Sequence, residues 1–122
     1  MEPNLSTYIQ NQIRQAQQLE TQIEQIATQR YQLDLRVKEI EKTLKELEKV
    51  PEGVPVYKNL GTVMYQVQDK KTVVDELTEQ KELTEIRLKT LEKQQKALED
   101  KYKELEGLIK QRMEDLRKGG QQ

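Results

Sequence analysis

The chain has no cysteine and no histidine, and tyrosine is its sole aromatic residue. Without cysteine there is no disulfide and no thiolate nucleophile. Without histidine the common zinc ligand and the side chain that titrates near neutral pH are both missing. Chemistry would have to rest on scattered carboxylates and lysines, and glycine-containing stretches such as Glu52-Gly53-Val54 match no phosphate-binding loop. No enzymatic activity, metal or cofactor is therefore expected. No apolar run approaches the ~20 residues that a membrane span needs. The opening Met-Glu-Pro-Asn lacks the basic and apolar regions of a signal peptide, so the expectation is a cytoplasmic protein with no membrane partner. An excess of one charge is lacking too. With 21 Lys and Arg against 22 Asp and Glu, the net charge of -1 supplies no basic field for a phosphate backbone, and nucleic acid is not an expected partner. For 122 residues, 34% hydrophobic against 35% charged argues against a globular core and fits long helices.

What is present is a heptad repeat, in two stretches over 5–48 and 70–117. In the first, a positions fall on Ile9, Ala16, Ile23, Arg30, Val37 and Leu44, and d positions on Leu5, Gln12, Leu19, Ile26, Leu33, Ile40 and Leu47. In the second, a falls on Val74, Lys81, Leu88, Gln95, Tyr102, Ile109 and Leu116, and d on Leu77, Thr84, Leu91, Leu98, Leu105 and Arg112. A pattern held over about six heptads predicts two coiled-coil helices. At 1.5 Å per residue each would be on the order of 65–70 Å long, so the expected fold is mainly α, a long antiparallel two-helix coiled coil. The register that sets every a against a d places Leu44 opposite Leu77, Leu33 opposite Leu88, Ile23 opposite Leu98 and Ala16 opposite Leu105. Arg30 then meets Leu91, Gln95 meets Ile26 and Lys81 meets Ile40. Their stems can pack while the polar heads reach outward, a cost in stability that disfavours other registers.

Between the helices the pattern changes. Val50-Pro51-Glu52-Gly53-Val54-Pro55 ends the first helix, because proline lacks the amide donor and disfavours helix before it. Residues 54–68 then read as one β-hairpin, with Val56-Tyr57-Lys58 a strand, Asn59-Leu60-Gly61 the turn and Thr62 to Val67 the return strand, Asn and Gly supplying positive φ. Alternation places Val63, Tyr65 and Val67 on one face. A lone hairpin is marginal in water and its open edges invite pairing. Val56, Tyr57, Leu60, Val63, Met64, Tyr65 and Val67 are accordingly the expected subunit-assembly residues.

This order of helix, Pro/Gly break, Val-Tyr-Lys, Asn-Leu-Gly-Thr-Val hairpin and helix resembles the β class of prefoldin subunits over nearly the whole chain. The heptads are shared by any coiled coil; the segment from Val56 to Thr62 and the strand after it carry the likeness, and one hairpin rather than two fits the β class. The resemblance implies an ATP-independent hexameric chaperone of two α-class and four β subunits. In it the hairpins form a double β-barrel body, and non-native clients are held at the coiled-coil tips and passed to a group II chaperonin.

The residues point to a functional end independently. Along the stem the e and g positions flanking the seam are mostly polar, among them Glu20, Asp34, Glu41, Glu85, Glu92, Glu99 and Glu106. At the end remote from the hairpin, Ile13 and Met113 occupy e while Tyr8 and Leu108 occupy g. With Leu5, Ile9, Ile109 and Leu116 they form the expected client-binding tip, since non-native chains share exposed apolar segments rather than one sequence. A plain coil end is the competing account of these residues. Off the seam lie Tyr31, Leu35, Leu83 and Ile86, for which packing on a neighbouring subunit or along the stem is favoured over a client; the register sets Leu35 opposite Ile86. The basic residues Arg112, Arg117 and Lys118 suit a helix C-terminus, with 118–122 a flexible tail. The resemblance offers them a second role in docking a chaperonin through charge. A structural or adaptor coiled coil without chaperone activity is the alternative overall, although it gives no reason for a hairpin.

Overall fold

The computed structural model describes residues 4–119. Its elements run in the order α1 (Leu5–Glu48), β1 (Val56–Leu60), β2 (Val63–Val67) and α2 (Lys70–Gly119). The fold is mainly α: two long helices, antiparallel where they pair, with one β-hairpin between them. Lys118 and Gly119 belong to α2 rather than to a tail, and 120–122 lie outside the described residues.

Local chemistry sets each boundary. Asn4 caps α1, its Oδ1 accepting the Thr7 amide at 2.8 Å, and Asp69 caps α2 by accepting both the amide and the hydroxyl of Thr72 at 2.8 Å. These two bonds, the amide's first, hold the Asp69 carboxyl below its ordinary pKa. At its far end α1 tightens, with the amides of Lys49 and Val50 donating to the carbonyls of Glu46 and Leu47, before Pro51 stops it. Gly53, at φ 86°, lets the backbone reverse, and Lys70 Nζ donates to the Val50 carbonyl at 2.8 Å, tying this loop to the start of α2.

The hairpin's turn differs from the expected one. Asn59 and Leu60 belong to β1, and the loop is Gly61-Thr62, with positive φ at Gly61 alone (60°). A two-residue loop of the II′ kind needs a positive φ only at its first residue, so Asn59 is free to pair with Met64.

The chain divides into two compact units, one of Met1–Arg30 with Leu91–Gln122 and one of Tyr31–Thr90, to both of which each helix contributes. Within each unit the heptad positions are the covered ones. In α1 every a and d residue is buried or half-buried and every other residue is exposed. In α2 the same holds from Val74 to Arg112, with Lys70, Val73 and Glu99 also partly covered.

Polar seam residues find partners where the stem is closed. In the Tyr31–Thr90 unit, Lys81 Nζ lies 3.6 Å from Glu41 and 3.8 Å from Glu85, both flanking carboxylates, while the Thr84 hydroxyl donates to the Gln80 carbonyl at 2.7 Å. In the other unit Arg30 Nη1 donates to Gln95 Oε1 at 2.8 Å, and Gln95 Nε2 donates in turn to Glu99 at 2.9 Å. Arg30 and Gln95 were each expected to send a polar head outward. They satisfy one another across the seam instead, which avoids leaving a partly buried donor and acceptor unpaired.

Candidate functional site

Apolar surface that the seam does not account for is densest in two regions. The first is the end of the coil that holds the start of α1 and the close of α2. Here the flanking positions carry Tyr8, Ile13, Leu108 and Met113, all exposed, Met113 at 53%. In an antiparallel pair g flanks g and e flanks e, so Tyr8 and Leu108 share one side of the seam and Ile13 and Met113 the other. Among the described residues Leu116 is the seam position left open, at 43% exposed, in the layer where the register sets it against Leu5. The other nominated tip residues lie deeper, Ile9 buried in the seam and Leu5 and Ile109 half-buried.

Arg112 sits apart from the other two basic residues nominated for docking. Its guanidinium carbon stacks 4.1 Å from the centroid of the Tyr8 ring, and the side chain is half-buried. Arg117 and Lys118 stand exposed on the last turn of α2. The structure thus brings Arg112 into the apolar end, while Arg117 and Lys118 are the two of the three that are fully on the surface.

The second region is the hairpin. Directly opposed residues share a face, so Val56 with Val67, Lys58 with Tyr65 and Leu60 with Val63 form one face, and Tyr57 with Gln66 and Asn59 with Met64 the other. The first face is partly covered at Val56, Lys58 and Val67, and open at Leu60 and Val63 towards the turn. On the second, Tyr57 is exposed and Met64 is 65% exposed. The seven nominated assembly residues therefore occupy both faces, and among the described residues no third strand joins either edge of the sheet. Sequence reasoning missed Lys58, whose Nζ lies 2.9 Å from Glu76 Oε2 and pins the hairpin to the start of α2. That hydrogen bond, with the Glu76 charge behind it, raises the Lys58 pKa above 10.5. Alternation already put Lys58 on the apolar face, which was the available signal that it needed an acidic partner.

Tyr31, Leu35, Leu83 and Ile86 are exposed as well, but they do not form one cluster. Leu35 and Ile86 share a level of the register, yet both are f positions, directed away from the seam on the outer faces of their own helices. Each helix carries its own small patch, Tyr31 with Leu35 and Leu83 with Ile86. Among the described residues no group of carboxylates is arranged to hold a metal ion, and no helix is long and apolar enough to cross a membrane.

Two long heptad-patterned helices joined by a two-stranded hairpin, with apolar side chains exposed at one end of the coil, on the hairpin and in small patches along each helix, define the class of helical-hairpin coiled-coil proteins. Comparison with known proteins gives the family. The family model described as "Prefoldin subunit" matches residues 10–116. Prefoldin subunit beta of Thermoplasma acidophilum and that of Thermoplasma volcanium are each 60% identical over 120 residues, covering 98% of this chain and 97% of the relative. The crystal structure of the prefoldin beta subunit from Thermococcus strain KS-1 superposes with a TM-score of 0.80 at 33% identity, covering 90% of this chain and 96% of that one. The chain belongs to the prefoldin subunit family, and the relatives it resembles are β subunits.

Proposed function

We propose that the chain is a subunit of an ATP-independent chaperone that captures non-native proteins at its coiled-coil ends and delivers them to a group II chaperonin in the cytoplasm. The observation that carries this reading is the exposed apolar set Tyr8, Ile13, Leu108, Met113 and Leu116 at one end, in a chain of the prefoldin family. With an apolar patch of roughly 200–300 Å² at ~25 cal/mol per Å², one end supplies roughly 5–7 kcal/mol before the costs of association. A single end binds weakly; several on one body give reversible capture by raising the effective concentration. Flexible methionine and amphipathic tyrosine suit varied partners.

The hairpin is the assembly element, pairing through its free edges and apolar faces with α-class and other β subunits in an α2β4 hexamer. Arg117 and Lys118 are the docking contacts for the chaperonin, with Arg112 held on Tyr8 behind them. Salt weakens such docking more than it weakens apolar capture, which is not screened.

The test mixes the chain with an α-class subunit, measures solution mass, and follows aggregation of a denatured client without ATP. A hexamer-sized complex that suppresses aggregation supports the proposal. A lone dimer without that activity under both conditions returns the chain to a structural or adaptor coiled coil.

A further inference from the structure

Among the described residues, two buried side-chain polar atoms have no hydrogen-bond partner, Gln12 Oε1 and Arg112 Nε. Both belong to the same end of the coil, and both residues are d positions of the seam, where the register sets Gln12 against Ile109 and Arg112 against Ile9. Gln12 is only 6% exposed. Elsewhere the seam treats polar residues differently. Arg30 and Gln95 bond one another, Lys81 reaches Glu41 and Glu85, and Thr84 bonds its own helix. Closing the last turns therefore leaves one acceptor and one donor without a hydrogen bond, offset only by the stacking of Arg112 on Tyr8, whereas the polar residues of the rest of the seam are bonded.

The two atoms are complementary to a peptide group. The acceptor on Gln12 suits a backbone N–H, and the guanidinium donor on Arg112 suits a backbone carbonyl oxygen. Around them stand Tyr8, Ile9, Ile109 and Met113, apolar partners for side chains of any kind. We infer that Gln12 and Arg112 form a backbone-binding pair, buried while the end is closed and offered to the peptide groups of an extended, non-native segment when the last turns part. The inference rests on the capture role proposed above and adds its chemistry: apolar surface holds the side chains, while this pair reads the amide that every polypeptide shares.

The test uses the assembled complex, with the parent subunit or with Gln12→Leu/Arg112→Leu, and two probes. One is a soluble apolar peptide, the other the same peptide with its central amides N-methylated. Leucine at both d positions completes the seam, so fold and mass are retained and amide exchange in 5–13 and 108–118 slows. Although the double variant is more apolar, it binds the unmodified peptide about tenfold more weakly, the effect of one or two hydrogen bonds. N-methylation weakens binding to the parent and leaves the variant unchanged. Equal or tighter binding by the variant overturns the inference, as does a parent that binds both peptides equally. A parent complex that binds neither peptide overturns the capture role itself, and the pair with it.

Discussion

Ile40 and Leu116 are both aliphatic seam positions, and a heptad register alone assigns them the same weight. The structure does not. Ile40 is 2% exposed, the most fully buried large side chain among the described residues, whereas Leu116 is 43% exposed. Ile40→Ala removes three carbons, worth about 2.4 kcal/mol at ~0.8 kcal/mol for each buried methylene. The unfilled space adds to this, partly relieved because a two-helix seam can close on its open flanks, giving about 3 kcal/mol in total. Leu116→Ala removes as many carbons, but much of that surface already faces water and no enclosed space is left, so the loss is about 1 kcal/mol. Urea denaturation followed by helical circular dichroism, at one fixed protomer concentration because assembly contributes to stability, measures both. Equal losses for the two variants would refute the argument, since they would show the end of the coil to be as closed as the stem. The same pair separates stability from function: Leu116→Ala reduces client capture out of proportion to its small effect on stability, and Ile40→Ala does the reverse.

Three further outcomes are expected. Gly61→Val forces a β-branched residue to φ 60°, costing the hairpin about 1–2 kcal/mol, and lowers the assembled fraction seen by light scattering while helix content is kept. Asp69→Ala removes the cap of α2. Because the folded-state pKa of Asp69 is depressed, its contribution is fully present above its ordinary value of 3.8 and is lost as pH falls through the lower folded value. Parent and variant stabilities should therefore converge on acidification below 3.8, and a gap that persists unchanged would remove the carboxylate from the account. Lys58→Met frees the hairpin from Glu76, speeding amide exchange in β1 without altering α1. The raised pKa of Lys58 means that this tether is intact below 10.5 and released as pH climbs through the raised value.

The helices were legible because a seam of period 3.5 records its own burial. Each a and d residue of α1, including the polar Gln12 and Arg30, is covered in the structure. The hairpin's place between Pro55 and Gln68 was legible from its breakers and β-branched residues. Its turn falls two residues later than the pattern suggests, because Asn59 invites a left-handed conformation that a II′ loop does not require there. Side-chain destinations were less accessible. The heptads put Arg112 at a d position without giving it a partner, and only the packed coil lays it on Tyr8 with Nε sealed from water. Lys58 and Glu76 are eighteen residues apart and meet only once the hairpin folds back on α2. Leu35 and Ile86 share a level in the register, but the same heptads, read for side as well as level, already separate them. Their f positions face them apart.

The proposed chaperone role requires the apolar end to bind non-native protein. The most direct measurement is suppression of client aggregation, without ATP, by a complex carrying Tyr8→Gln, Leu108→Gln, Met113→Gln and Leu116→Gln, beside the parent complex at equal concentration. All four residues are exposed, so the variant should keep its solution mass and helix content, and the account predicts that suppression is largely lost. Full suppression by a variant of unchanged mass would contradict it and place client binding elsewhere on the subunit.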